Sequence, residues 1–211
     1  MSIREKEQEL FQRFSVAVPD GIVDENQYFS PETPYRIAYV LKEVNGKGVS
    51  DLREFLREGG RRQSWNMIAR WTEAILTLPQ ERAWNDWENY SDDRRKTWLR
   101  KICAVNLKKT PGKYIANQQD IAKAAQENRA LLQEQLWLYQ PNIIICCGTA
   151  ADFCKVCFPQ QDLPWEMTSR GIWYVRFPNQ ILIAYSHPEA RIRDCILFYP
   201  LIDAVKEILG I

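Results

Sequence analysis

His187 is the only histidine in the 211-residue chain. An imidazole can donate or exchange a proton near neutral pH. A solitary histidine is more often structural or merely exposed, so its position must decide. It follows the apolar segment Ile181 to Tyr185 and precedes Pro188, which restrains it toward an extended backbone. Asn106 follows a second apolar segment, Ile102 to Val105. A carboxamide offers an acceptor and two donors and can read a base edge. The plainer alternative is an asparagine bonded to its own turn. Glu43 follows a third such segment, Arg36 to Leu41. A carboxylate there could orient a water or stabilise developing positive charge. Its plainer alternative is an exposed glutamate paired with Lys42 or Lys47. Asn45 and Asp51 are further polar groups in the same loop.

Other candidates carry less. Cys154 and Cys157 form a Cys-x-x-Cys inside an apolar, helical stretch with no second pair at ligand spacing. Buried thiols are the better reading, and no metal is expected. Basic residues cluster at Arg57, Arg61 and Arg62, at Arg94, Arg95, Lys96, Arg100 and Lys101, at Lys108, Lys109 and Lys113, and at Arg191 and Arg193. Any one cluster is more simply a solvated face. Eight tryptophans are many for this length; some belong in a core, but an aromatic-rich chain also has the means to stack on bases.

The elements that must position these residues follow from the pattern. Ile3 to Phe14 reads as a charged amphipathic helix, and 19–34 as a loop. Arg36 to Leu41 and Ile102 to Val105 read as strands, each followed by a turn. Ser50 can cap a helix through Leu56, and Gly59-Gly60 breaks it. Gln63 to Leu76 is the next helix. Two shorter ones fall between Gln80 and Lys101, capped at Ser91 or Asp92. Asp120 to Tyr139, free of Gly and Pro, reads as one long helix. Ile143 to Cys147 is a strand buried on both faces, with the helix Thr149 to Cys157 after it. Ile172 to Phe177 and Ile181 to Tyr185 flank a Pro-Asn turn. Leu197 to Leu209 is a final helix with Pro200 in its first turn. Strands alternating with helices predict a mostly parallel sheet, which binds ligands at the carboxyl ends of its strands. Glu43, Asn106, Gly148 and His187 all fall at such ends.

Composition sets the bounds. Apolar residues make up 45% and charged residues 26%, and the net charge is +1. That suits one domain, 1–211, with an N-terminal helix 3–14 and a helical insertion 80–101. It excludes a strongly basic nucleic-acid binder, so DNA contact would need local clusters. The polar opening residues are unlike a signal peptide, and no apolar run reaches a membrane span. A cytoplasmic monomer without membrane contact is expected. No Gly-rich phosphate loop or dinucleotide fingerprint is present, which counts against a nucleotide-cofactor enzyme.

Four segments, in order and spacing, resemble the uracil-DNA-glycosylase superfamily. Leu41-Lys42-Glu43-Val44-Asn45-Gly46 is similar to its water-activating motif. Val105-Asn106-Leu107-Lys108-Lys109-Thr110-Pro111 is similar to its base-binding segment. The stretch from Gln135-Leu136 through Pro141 to Gly148-Thr149-Ala150-Ala151 resembles its helix–Pro–strand–Gly segment. Ser186-His187-Pro188-Glu189-Ala190-Arg191 resembles its minor-groove loop. Departures are visible. Lys42 stands at the usual Gly, Asn45 at the usual Pro, and Glu189-Ala190 at the usual Ser-Pro. Glu43 aligns with the Glu of the iron–sulfur branch, whose cluster cysteines have no counterparts here.

The resemblance implies an α/β three-layer sandwich around a central, mostly parallel sheet of about four or five strands. It implies a monofunctional DNA glycosylase acting on uracil, another deaminated base, or a modified base in foreign DNA, without cofactor. His187 would donate to the leaving base, Asn106 read its edge, Trp65 lie beneath the base, and Glu43 position the water, with Asn45 as alternative. Lys108, Lys109, Arg191, Arg193, Arg61 and Arg62 would contact DNA, Arg191 and Arg193 also filling the gap left by a flipped nucleotide. The alternatives are a catalytically silent relative that binds nucleic acid or protein, and an unrelated α/β enzyme acting on a free nucleoside.

Overall fold

The computed structural model describes residues 2–45, 48–112, 116–159 and 162–211. Gly46 and Lys47 of the expected first turn, and Lys113 of a basic cluster, lie outside the described residues. Helix α1 (Ile3–Arg13) opens on a capping box between Ser2 and Glu5 and packs Leu10 and Phe11 on Leu131. The expected loop that follows holds two short elements, β1 (Gly21–Ile22) and α2 (Glu25–Tyr28). Neither has enough residues to show a period, and β1 exists only because it pairs with a distant strand.

Strand β2 (Ile37–Asn45) runs through Glu43 rather than stopping before it. Asp51, not Ser50, caps α3 (Leu52–Arg57). Helices α4 (Arg62–Leu76), α5 (Asn85–Glu88) and α6 (Asp92–Leu99) follow, the last capped by Ser91. Strand β3 (Ile102–Gly112) likewise runs on past Asn106. The expected long helix is two, α7 (Gln118–Glu127) and α8 (Arg129–Tyr139). They part at Asn128, whose side-chain amide donates to the Leu107 carbonyl at 3.0 Å. Strand β4 (Ile143–Cys147), helix α9 (Ala150–Cys157), β5 (Glu166–Met167), and the hairpin β6 (Trp173–Phe177) and β7 (Gln180–Tyr185) come next. Helix α10 (Asp194–Leu209) starts earlier than expected, which puts Pro200 in its second turn and removes one ladder bond.

Among the described residues the strands form one seven-stranded mixed sheet, ordered β1-β3-β2-β4-β7-β6-β5. This corrects the expectation of four or five mostly parallel strands. The inner run β3-β2-β4-β7 is parallel. Strands β1, β6 and β5 are added through antiparallel pairings. The two edge strands are too short to announce themselves in sequence.

Alternation along the strands divides the core. Ile37, Tyr39, Leu41, Ile143 and Ile145 meet α3, α4 and α10 on one face. Ala38, Val40, Ile144 and Cys146 meet α7, α8 and α9 on the other. Each fully buried Leu, Ile or Phe of this kind contributes about 1.5–3 kcal/mol.

The insertion between α4 and β3 is bolted to α4 by Glu73. This buried carboxylate accepts from Arg94 at 2.7 Å, Arg82 at 2.6 Å and the Tyr90 hydroxyl at 2.8 Å. Burial opposes its charge, but those donors hold its pKa below the ordinary carboxylate value. Arg95, also buried, donates to the Gly59 carbonyl at 2.7 Å and to Asn66 Oδ1 at 2.9 Å. The basic cluster of this segment is therefore partly structural. No helix among the described residues is long and apolar enough to cross a membrane.

Candidate active site

The parallel run brings its carboxyl ends to one edge, where a cleft of about 580 Å³ opens. Glu43 from β2, Asn106 from β3 and His187 after β7 all line it. Trp65, Arg61 and Arg191 line it too. The turn after β4 ties this edge together. Gly148, at φ 69°, donates its N–H to the Tyr185 carbonyl at 2.7 Å, and Thr149 Oγ1 donates to the Val40 carbonyl at 2.8 Å.

Asn106 is 2% exposed, and its backbone N–H donates to Asp20 Oδ2 at 2.7 Å. Its side-chain Nδ2 is buried and has no hydrogen-bond partner among the described residues. An unspent buried donor costs about 1–3 kcal/mol. A donor retained at that cost in a cleft wall is suited to a ligand acceptor.

Glu43 sits in register with Lys108, and the Lys108 ammonium engages its carboxylate. The Glu43 side chain is only 7% exposed. Gly112 makes room for it, since a Cβ there would overlap the carboxyl group. Gly112→Ala is therefore expected to expel Glu43 from its seat and to cost about 1–3 kcal/mol by overpacking. Urea denaturation checks this; an unchanged midpoint would mean that the close approach does not matter. Asn45 continues β2 opposite Gly112, after a shift in register. The side chain of Asn45 lies outside what the structure describes.

His187 is half-buried, and its Nδ1 accepts the Glu189 backbone N–H at 3.1 Å. The neutral ring must then carry its proton on Nε2. Burial, reinforced by the nearby Lys42 ammonium and opposed by Glu189, holds its pKa below the ordinary 6.5. Neutral imidazole, with an Nε2–H that has no acceptor among the described residues, is the resulting species near neutral pH.

Trp65 opens the first turn of α4 and is 7% exposed. Its indole lies against Gly60, where a Cβ would meet Trp65 Cδ1 at 2.6 Å. Gly60 also has φ +60°, so glycine is required there twice over.

Four of the six expected DNA contacts, Lys108, Lys109, Arg62 and Arg193, lie outside the cleft lining, and a fifth, Arg61, is already paired. Lys109 is 4% exposed, and its ammonium bonds Asp20 at 2.8 Å and Gln135 at 2.7 Å. It cannot reach a phosphate. Strand alternation is the reason: Lys108 turns to the cleft face and Lys109 to the opposite one. Lys108 is spent on Glu43 and does not line the cleft, and Arg61 is paired with Glu189 at 2.9 Å. Arg62 pairs weakly with Asp92 at 3.8 Å and faces a neighbouring groove. Arg193 is exposed at the start of α10, outside the cleft lining. Arg191 is exposed at the cleft.

Sequence reading missed Lys42, Phe55 and Ser64, which also line the cleft. Phe55 is 36% exposed, an aromatic face open to solvent beside the more deeply set Trp65. Its position on α3 just before Gly59-Gly60 was the available signal. Cys154 and Cys157 lie on α9, on the sheet face away from the cleft, where burial pushes their thiols up to about 11 and about 12. The chain matches no protein-family model, and no curated protein matches it in sequence.

Proposed function

We propose that the protein is a DNA glycosylase that hydrolyses the N-glycosidic bond of a flipped-out base. One observation carries this reading: Glu43 and Asn106, on two strands, and His187, in the loop after a third, line a single cleft. Apolar clusters with helices on both faces of a sheet with a parallel inner run support the three-layer, uracil-DNA-glycosylase-like reading of the fold.

Each residue has a role fitted to its surroundings. In the transition state the sugar gains positive charge while the base departs as an anion. The Nε2–H of neutral His187 donates to the base carbonyl oxygen that collects this charge. The Asn106 amide bonds the base edge, and its unpartnered Nδ2 supplies a donor for it. The Glu43 carboxylate orients the water that attacks the anomeric carbon and offsets the charge on the sugar. Trp65 or Phe55 stacks on the base, and Arg191 meets the backbone. The substrate is uracil, another deaminated base, or a modified base in foreign DNA; the last would fit a defence role.

The depressed pKa of His187 gives a pH signature. Its neutral form persists as pH falls through 6.5, and protonating Nδ1 sets a second donor against the Glu189 N–H and unseats the ring, so the acid limb of kcat/KM belongs below that value. A pH–rate profile whose acid limb, assigned to the imidazole by a matching NMR titration, lay above 6.5 would contradict the neutral donor.

The decisive assay incubates the protein with oligonucleotides carrying uracil, hypoxanthine, or hydroxymethylated or glucosylated cytosine, and scores abasic sites by alkali cleavage. One feature favours a second reading, a silent relative that binds nucleic acid or protein: Lys108 already engages the Glu43 carboxylate. Binding without cleavage of any of these substrates supports that reading and overturns the first.

A further inference from the structure

The His187 loop is fastened to the facing α4 wall through a side chain of its own, Glu189, that has no part in the chemistry proposed above. Glu189 lies two residues beyond His187 and uses two different groups. Its backbone N–H bonds His187 Nδ1 at 3.1 Å. Its carboxylate Oε1 accepts from Arg61 at 2.9 Å and also from the Ser64 hydroxyl. Arg61 is the N-cap of α4 and Ser64 lies in its first turn, so both belong to the wall that carries Trp65. Burial opposes the Glu189 charge, yet Ser64 and Arg61 hold its pKa below the ordinary carboxylate value. The loop and the α4 wall are thus joined by an ionised clasp. Serine could not supply this carboxylate; glutamate at this position can.

We propose that the Glu189 carboxylate, held by Arg61 and Ser64, is a positioning group that locks His187 with Nδ1 as acceptor and Nε2–H toward the cleft. The reach of the clasp fixes where the Glu189 peptide sits, and that peptide selects the tautomer. Without the clasp the backbone N–H still exists, but its direction is free. Then Nδ1–H competes with Nε2–H, and the fraction of molecules with the correct donor falls. A wrong tautomer at a catalytic imidazole costs far more than a strained contact. The catalytic consequence rests on the glycosylase reading; the positioning itself does not.

A chain with one histidine makes the test direct, because every imidazole signal belongs to His187. The protein is labelled with nitrogen-15 histidine, and the two ring nitrogens are read by long-range proton–nitrogen NMR above the imidazole pKa. The wild type should show the neutral Nε2–H pattern. Glu189→Ala and Arg61→Met should each move both nitrogens toward averaged tautomer values, and Glu189→Gln should do so partially. The exchanged pair Arg61→Glu with Glu189→Arg should restore the wild-type pattern. On a cleaved substrate, Glu189→Ala should lower kcat about tenfold with little change in KM. Unchanged ring nitrogens in folded Glu189→Gln and Arg61→Met overturn the clasp. Shifted nitrogens in a protein that cleaves no substrate uphold the clasp and count against the glycosylase reading.

Discussion

His187→Ala is expected to lower the single-turnover cleavage rate by about 10²–10⁴, the usual worth of a positioned proton donor. The loss should fall on the chemical step, since the imidazole meets charge that exists only as the base departs. Substrate binding should change little. The side chain is half-buried and, among the described residues, makes one hydrogen bond, as acceptor from Glu189, so the fold should tolerate its removal. Asn106→Ala should cost about 10²–10³, because one directed donor to a developing anion is lost. Asn106→Asp should be worse than Asn106→Ala, as it offers acceptor to acceptor. Measurement is by abasic-site formation under excess enzyme. If both alanine variants cleave at the wild-type rate, the cleft is not where the bond breaks.

Lys109→Met is expected to destabilise the protein by about 3–5 kcal/mol, the cost of stranding one buried charge. The Asp20 side chain is fully buried, and among the described residues Lys109 is its only cationic partner. Gln135 donates to Asp20 at 2.9 Å, which cannot neutralise it. Burial holds the Lys109 pKa below 10.5, against the pull of Asp20. Loss of this pair should also reach the cleft, because Asp20 fixes the Asn106 backbone N–H. Urea unfolding followed by tryptophan fluorescence reads the stability. A change under about 1 kcal/mol would place the pair among the weak surface bridges, contrary to its burial.

The parallel run was legible in the sequence because Ile143 to Cys147 and its companions are apolar and β-branched. So was the convergence of Glu43, Asn106 and His187, since strand ends in such a sheet share one edge. The ends of β2 and β3 were not legible. Lys42, Glu43 and Lys108 are polar, and polar residues after an apolar run read as a turn; here the ladder carries on beneath them. That error explains the placing of Lys109. Had β3 been extended to Gly112, period-two alternation would have sent Lys108 and Lys109 to opposite faces. The break at Asn128 had no Gly or Pro to mark it; a side-chain bond to a neighbouring strand made it. The clasp on Glu189 joins positions 125 and 128 residues apart in sequence, which no local pattern could reveal.

Arg95 grips the carbonyl of Gly59 from behind, and Glu73 anchors the segment that carries Arg95. The wall bearing Phe55, Arg61 and Trp65 is thereby fixed before any ligand of the proposed kind arrives. Discrimination among bases would then work by steric exclusion from an aperture of set width.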